Sequence, residues 1–198
     1  HQLGQFYTPP PIAELIVKWS IRSPDDKVLD PGCGSGTFLI EAYKRLFELK
    51  TGKKYGETYP DPDLHEKILN QLYGFDINPF PTQLTAMNLA MRNTVVPSKN
   101  INVITTDFFT VIPGMKTLAP YAVKTPSGEV KREIEIPKEF DAVVGNPPYT
   151  RWRDIPEKTK ELIFERIGHV ISTYDFLSVS GMREKVGIYV PFIIHAHN

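Results

Sequence analysis

Short, mostly apolar runs bounded by turn residues recur along this chain, and stretches with helical periodicity separate them. Lys27 to Asp30, Leu72 to Asp76, Ile101 to Thr106 and Phe140 to Gly145 have the pattern of buried strands. The helical stripes are Ile12, Leu15, Ile16 and Trp19; Leu39, Ala42, Tyr43 and Leu46; and Phe80, Leu84, Met87 and Met91. Thr8 is placed to cap the first of these helices with Pro9 in its first turn, and Trp19 reads as core. Asn78-Pro79 is a cap and first-turn pair for the third. Shorter helices are expected from Leu64 to Gln71 and from Glu157 to Val170, with Leu162, Ile163 and Ile167 among the latter's apolar positions, and another begins after Gly187. Strands alternating with helices predict an α/β fold with an open sheet. Tyr121 to Ile136 alternates on both sides of Pro126-Ser127-Gly128, which predicts a hairpin insertion at about 119–137.

Composition narrows the class without identifying chemistry. The 198 residues are 41% hydrophobic, enough to bury a substantial core as one domain. No stretch approaches the apolar length that spans a bilayer, and no basic-then-apolar leader opens the chain, so no membrane is implied. A single cysteine, Cys33, excludes an internal disulfide framework and fits an intracellular location. The five histidines are scattered, with only His195 and His197 close together, and no metal is implied. Lys and Arg number 23 against 23 Asp and Glu, so any nucleic-acid affinity must be local, since duplex affinity comes largely from phosphate neutralisation. Arg151-Trp152-Arg153 is one such local basic-aromatic cluster, able to meet phosphates or an orphaned base.

The first strand runs into Pro31-Gly-Cys-Gly-Ser-Gly-Thr37 and then a helix, a cradle for a nucleotide-type ligand. Gly32, Gly34 and Gly36 let the backbone approach a ligand, and the opening helical turn offers N–H groups to an anion. The spacing is Gly-x-Gly-x-Gly, whereas the dinucleotide fingerprint is Gly-x-Gly-x-x-Gly with an acid about 20 residues later. The next acid at a strand end is Asp76, much farther along, which argues against NAD and for another adenosine ligand. A carboxylate at Asp76 can grip two ribose hydroxyls. Asp107-Phe108 closes the third strand with an acceptor for an adenine amine beside an aromatic wall. Acids at three successive strand ends fit the rule that open α/β sheets bind ligands outside the carboxyl ends of their strands.

The fourth strand ends in Asn146-Pro147-Pro148-Tyr149. An amine conjugated to a ring or carbonyl is a poor nucleophile because its lone pair is delocalised. The Asn146 carboxamide oxygen and the Pro147 carbonyl are two acceptors; converging on one NH2 they would localise that lone pair. Pro148 biases Pro147 toward extended backbone, neither proline brings a competing N–H, and Tyr149 offers a face for stacking.

Together these motifs resemble, in order and over most of the chain, a DNA adenine-N6 methyltransferase that uses S-adenosylmethionine, of the kind whose cofactor motifs precede the catalytic tetrapeptide. The resemblance implies a Rossmann-like class I methyltransferase fold. Gln5-Phe-Tyr-Thr-Pro9 is similar to the family's upstream cofactor motif, so Tyr7, Thr8 and Pro9 are implied at the methionine end of the cofactor. Asp30 is implied to face the cofactor's amino group, with Pro31, Gly32, Cys33, Gly34 and Thr37 around it, while Asp76 and Ile77 take the ribose and Asp107 and Phe108 the adenine. Asn146, Pro147, Pro148 and Tyr149 are the implied catalytic residues, and Arg151 and Arg153 the DNA-contact candidates. The implied partners are double-stranded DNA with a flipped adenine and a specificity or endonuclease module, in a prokaryotic cytoplasm and a restriction-modification setting.

Three rivals share parts of this pattern. A protein-glutamine N5 methyltransferase also carries Asn-Pro-Pro-Tyr, but the Gln5 to Pro9 motif with no preceding helical domain weighs against it. A non-catalytic cofactor- or nucleic-acid-binding subunit would show a broken motif, and a nucleotide-dependent oxidoreductase is disfavoured by the glycine spacing. With four strand signals and a last helix that lacks a cap, residues 1–198 are expected to be the N-terminal part of a catalytic domain. Further strands and a target-recognition domain are expected beyond it.

Overall fold

A computed structural model of the protein describes residues 7–95, 98, 100–125, 128–173 and 187–197. In chain order the elements are α1 (Pro10–Ser20), β1 (Val28–Asp30), α2 (Thr37–Thr51), α3 (Pro62–Leu69), β2 (Leu72–Asp76), α4 (Pro79–Ala90), β3 (Asn102–Thr105), β4 (Lys116–Thr125), β5 (Gly128–Glu135), β6 (Ala142–Val143), α5 (Glu157–Thr173) and α6 (Tyr189–His197). Short 3-10 turns lie at Phe108–Thr110 and Trp152–Asp154. Four strands form a parallel sheet in the order β3-β2-β1-β6, with Leu29 registered against Tyr73 on one side and Val143 on the other. The expected α/β class and all four sheet strands are therefore present. The fourth strand is shorter than its apolar run, but its pairing continues to Val144, whose N–H donates to the Leu29 carbonyl.

A parallel sheet needs cover on its faces, and α2 supplies much of it. Leu39, Ala42, Tyr43 and Leu46 are all buried, joined by Phe38 and Phe47, against Val28, Leu72, Val103 and Ala142 of the strands. Burial at this scale stabilises by roughly 1.5–3 kcal/mol for each large apolar side chain. Tyr43 also reaches a buried histidine: its hydroxyl lies 2.6 Å from His65 Nδ1, whose Nε2 lies 2.8 Å from Ser98 Oγ. Burial holds the pKa of His65 below its ordinary value, partly opposed by the Glu66 charge.

Two helices bury a face other than the expected one. In α1 the inward residues are Ala13 and Val17, followed by Ile21, whereas Leu15 is 70% and Trp19 75% exposed and Ile12 is exposed as well. Trp19 is not core. Both faces of this helix are apolar; the face carrying small Ala13 packs against the core, where α2 lies. Nor does Thr8 cap it: Pro9 occupies the cap position without a side-chain bond, and Pro10 opens the helix. In α4 the expected stripe of Phe80, Leu84, Met87 and Met91 is exposed, and Thr82, Thr85 and Leu89 point inward. The surface that α4 meets includes backbone carbonyls, which want hydroxyl and amide donors rather than methyl groups.

The hairpin of β4 and β5 starts earlier than expected, at Lys116, and its Pro126-Ser127 tip falls outside the described residues. Arg132 ties it to the sheet, donating to Asn102 Oδ1 at 2.6 Å and to the Ile101 carbonyl at 3.1 Å. The chain divides into two units. The sheet unit spans Thr8–Asp107 and Val111–Gly145; the other comprises His1–Tyr7, Phe108–Thr110 and Asn146–Asn198. Within the second unit α5 buries Ile163 and Ile167, and Phe192 of α6 packs on Phe108 and Phe109 with ring centroids 5.0 and 5.9 Å apart. Among the described residues no helix is long and apolar enough to cross a membrane.

Candidate cofactor and catalytic site

The glycine loop leaves the carboxyl end of β1 and is closed on itself before α2 begins. Gly36 N–H donates to the Cys33 carbonyl at 2.8 Å, and Cys33 N–H donates to the Phe75 carbonyl of β2 at 2.8 Å. Gly36 caps α2 at a φ of 90°, a left-handed conformation that a side chain rarely adopts. A Cβ added there would also lie 2.8 Å from Thr85 Cγ2, so the position is closed to larger residues twice over. Burial pushes the Cys33 thiol well above its ordinary pKa, which leaves it an inert space-filler.

Asp76, at the end of β2, fixes the loop from the other side. Its Oδ2 accepts from Gly34 N–H at 3.0 Å and its Oδ1 accepts from Asn78 N–H at 2.8 Å. Asn78 in turn caps α4 through Phe80 N–H at 3.1 Å, as its position ahead of Pro79 foretold. One carboxylate thus joins the glycine loop to the start of the next helix. Ile77 beside it is exposed, and Asp107 follows β3 at the same end of the sheet.

Asp30 is the unusual group. It is 1% exposed, and its Oδ1 accepts from Gly32 N–H at 3.2 Å. Burial drives its carboxyl pKa up to about 8, against the pull of the Gly32 N–H and with a further push from the Asp76 charge. Ionising an acid this deeply buried is costly, and a cation beside it would offset that cost. Gly145, just past the end of β6, lies against it: an added Cβ there would sit 2.7 Å from Asp30 Oδ1. Only a residue without a side chain lets neighbouring β6 run past this acid. Asp30 therefore sits where β1 and β6 part, since the chain leaves β1 for one half of the sheet and β6 completes the other, a position where open sheets bind ligands.

Thr8, Pro9, Asp30, Pro31, Gly32, Cys33, Gly34, Thr37, Asp76, Ile77 and Asp107 all lie in the sheet unit, and within it the glycine loop, Asp30 and Asp76 come together. Tyr7, Phe108, Asn146, Pro147, Pro148, Tyr149, Arg151 and Arg153 belong to the other unit. There the Tyr149 hydroxyl donates to Asn146 Oδ1 at 2.8 Å, and the Tyr149 and Tyr189 ring centroids are 6.0 Å apart. Tyr189 is held by backbone: Ile188 N–H donates to the Thr150 carbonyl at 2.8 Å, and Arg151 pairs with Gly187. Arg151 and Arg153 are exposed, the latter 3.8 Å from Asp154.

The sequence reading missed Thr82, Thr85, Asn88, Gly145 and Tyr189. Thr82, Thr85 and Asn88 recur every third residue, a polar stripe at helical spacing that the apolar stripe of the same helix masked. Gly145 was read only as the end of a strand, and Tyr189 as part of an uncapped helix.

Comparison with known proteins bears on both units. The sequence model of the N-6 DNA methylase family matches residues 1–173. The type I restriction enzyme MpnII methylase subunit of Mycoplasma pneumoniae is 30% identical over 151 residues, covering 74% of this chain and 22% of that protein. The type II methyltransferase M.XamI of Xanthomonas campestris pv. amaranthicola is 27% identical over 160 residues, covering 79% of this chain and 21% of that protein. The chain thus spans about a fifth of the length of these relatives. Among solved structures, the ATP-dependent type ISP restriction-modification enzyme LlaBIII bound to DNA superposes with a TM-score of 0.56 over 97% of this chain and 14% of that one, at 16% identity, a likeness of fold. The glycine loop entered from β1, the acid closing β2 and Asn-Pro-Pro-Tyr leaving β6 all lie within the matched residues, and the chain belongs to the N-6 DNA methylase family.

Proposed function

We propose that this chain is the cofactor-binding and catalytic part of an enzyme that moves a methyl group from S-adenosylmethionine to the N6 amine of adenine in DNA, within a restriction-modification system. The observation that carries the reading is the order of the sheet: β1 enters the glycine loop, and its direct neighbour β6 enters Asn146-Pro147-Pro148-Tyr149. The relatives, named as restriction-modification methylases, support the same reading and weigh against a protein-glutamine substrate.

The sheet unit suits this cofactor chemically. Buried Asp30 is an acid that holds its proton near neutrality and that a cation would ionise, and the cofactor carries an ammonium on its methionine end. In this reading Thr8, Pro9 and the loop from Pro31 to Thr37 serve that end, Asp76 and Ile77 the ribose and Asp107 the adenine. The resemblance to the family assigns Tyr7 and Phe108 to the cofactor as well. Bound there, S-adenosylmethionine supplies an electrophilic methyl group on a sulfonium. The Asn146 carboxamide oxygen and Pro147 carbonyl accept from the two hydrogens of the target amine and localise its lone pair for attack on that methyl. Pro148 keeps Pro147 extended. Tyr149 stacks on the flipped base, at about 1–3 kcal/mol per base, and Arg151 and Arg153 meet the phosphates. A specificity or endonuclease module, in the same protein or in trans, supplies the choice of site.

The test is methyl transfer by the full-length protein from tritiated S-adenosylmethionine to mixed-sequence duplex DNA, with the product nucleoside identified by mass spectrometry. N6-methyladenine is expected. Label on a glutamine-containing protein substrate and none on DNA would overturn the assignment.

A further inference from the structure

We infer that Thr85, with Asn88, is a positioning residue for the cofactor loop: the polar face of α4 sets the loop's shape before any ligand arrives. The inference rests on the proposed cofactor site and adds to it residues that touch no ligand.

Thr85 is fully buried, and its hydroxyl donates to the Gly34 carbonyl at 2.7 Å. One turn along the same face, Asn88 Nδ2 donates to the Ser35 carbonyl at 3.3 Å. Gly34 N–H is already taken by Asp76 at 3.0 Å, so the donor and the acceptor of this residue are both bonded within the protein. Gly34 has a φ of 50° and Gly36 one of 90°, conformations that cost little for glycine and that glycine can equally leave. A loop of such residues needs outside bonds to hold one shape, and α4 provides them. The fit is close at Gly36 too, where even one added carbon would collide with the Thr85 side chain.

A buried hydroxyl is tolerated only where it is bonded, and a valine would fill the same volume on a purely structural helix face. The bond to Gly34 is therefore the reason for threonine here. Holding the loop in its binding shape removes an ordering cost that ligand binding would otherwise bear, so its loss is expected in affinity rather than in the chemical step.

In the full-length protein, Thr85→Val should weaken binding of S-adenosylhomocysteine, and raise KM for S-adenosylmethionine, by roughly tenfold, with kcat within about twofold. Thr85→Ser, which keeps the donor, should restore the affinity, a rescue that a simple packing role would not give. Should Thr85→Val fail to fold, Asn88→Ala at a half-buried position decides, with a several-fold loss expected. Wild-type protein that binds S-adenosylhomocysteine, alongside folded variants that bind it equally well, would overturn the positioning role alone. Absence of binding by the wild type would instead bring down the proposed cofactor site, and this inference with it.

Discussion

The hydroxyl of Tyr149 donates a 2.8 Å hydrogen bond to the carboxamide oxygen of Asn146, three residues earlier in the chain. In the proposed reaction that oxygen accepts from the target amine, and with two lone pairs it can do so without the hydroxyl, so the part proposed for Tyr149 lies in its ring. The hydroxyl is then dispensable and the ring is not. Tyr149→Phe is expected to keep methyl transfer within about threefold of wild type. Tyr149→Ala, which loses stacking worth about 1–3 kcal/mol, should lower kcat/KM for DNA by roughly 5- to 150-fold. Equal losses in the two variants, measured in steady state on duplex DNA, would assign the role to the hydroxyl instead.

Asn146 separates chemistry from binding. Its side chain is proposed to act on the target amine rather than on the cofactor. Asn146→Ala in the full-length protein should abolish measurable methyl transfer while leaving affinity for S-adenosylmethionine within a few-fold. Near-normal turnover would sink the mechanism.

Asp76 should behave in the opposite way. Its two oxygens already serve Gly34 and Asn78 N–H groups, and the proposed ribose contact would add to them. A lost charge-assisted hydrogen bond costs about 1.5–3 kcal/mol, so Asp76→Ala should weaken cofactor binding by roughly tenfold or more. Calorimetry that finds the affinity unchanged would remove Asp76 from the cofactor site.

What could be read from the chain, and what could not, follows from which interactions leave a local trace. Asp30, Asp76 and Asp107 were legible because each ends a short apolar run, and a strand end followed by a glycine turn or an Asn-Pro cap is written in adjacent residues. The inward faces of α1 and α4 were not. Each helix carries a second apolar stripe, and hydropathy ranks Leu15, Trp19, Phe80 and Met87 above the Ala13, Val17, Thr82 and Thr85 that face inward. The choice between faces is made by partners distant in sequence: the core beneath Ala13, and the Gly34 carbonyl 51 residues before Thr85. Gly145 was opaque for the same reason, since its smallness matters only against Asp30, on a strand far away in sequence.

Asp30 carries a pH dependence whose direction is fixed by its burial. Its carboxyl is raised from an ordinary 3.8 to about 8 in the folded protein, so between those values the native state holds a proton that the unfolded chain has released. Stability from this group is therefore complete below about 3.8 and is lost as pH rises toward about 8, beyond which both states are ionised. Asp30→Asn, neutral at every pH, should be more stable than wild type near neutrality, and its urea midpoint should fall less between pH 5 and 8. The same acid gives the cofactor site a proton signature. An ammonium arriving beside Asp30 favours the ionised carboxylate, so binding of S-adenosylmethionine at pH 7 should release a proton from wild type that Asp30→Asn does not release. Calorimetry in two buffers of different ionisation enthalpy reads that difference directly. Identical buffer dependence in wild type and variant would mean that the cofactor's ammonium is not held by Asp30.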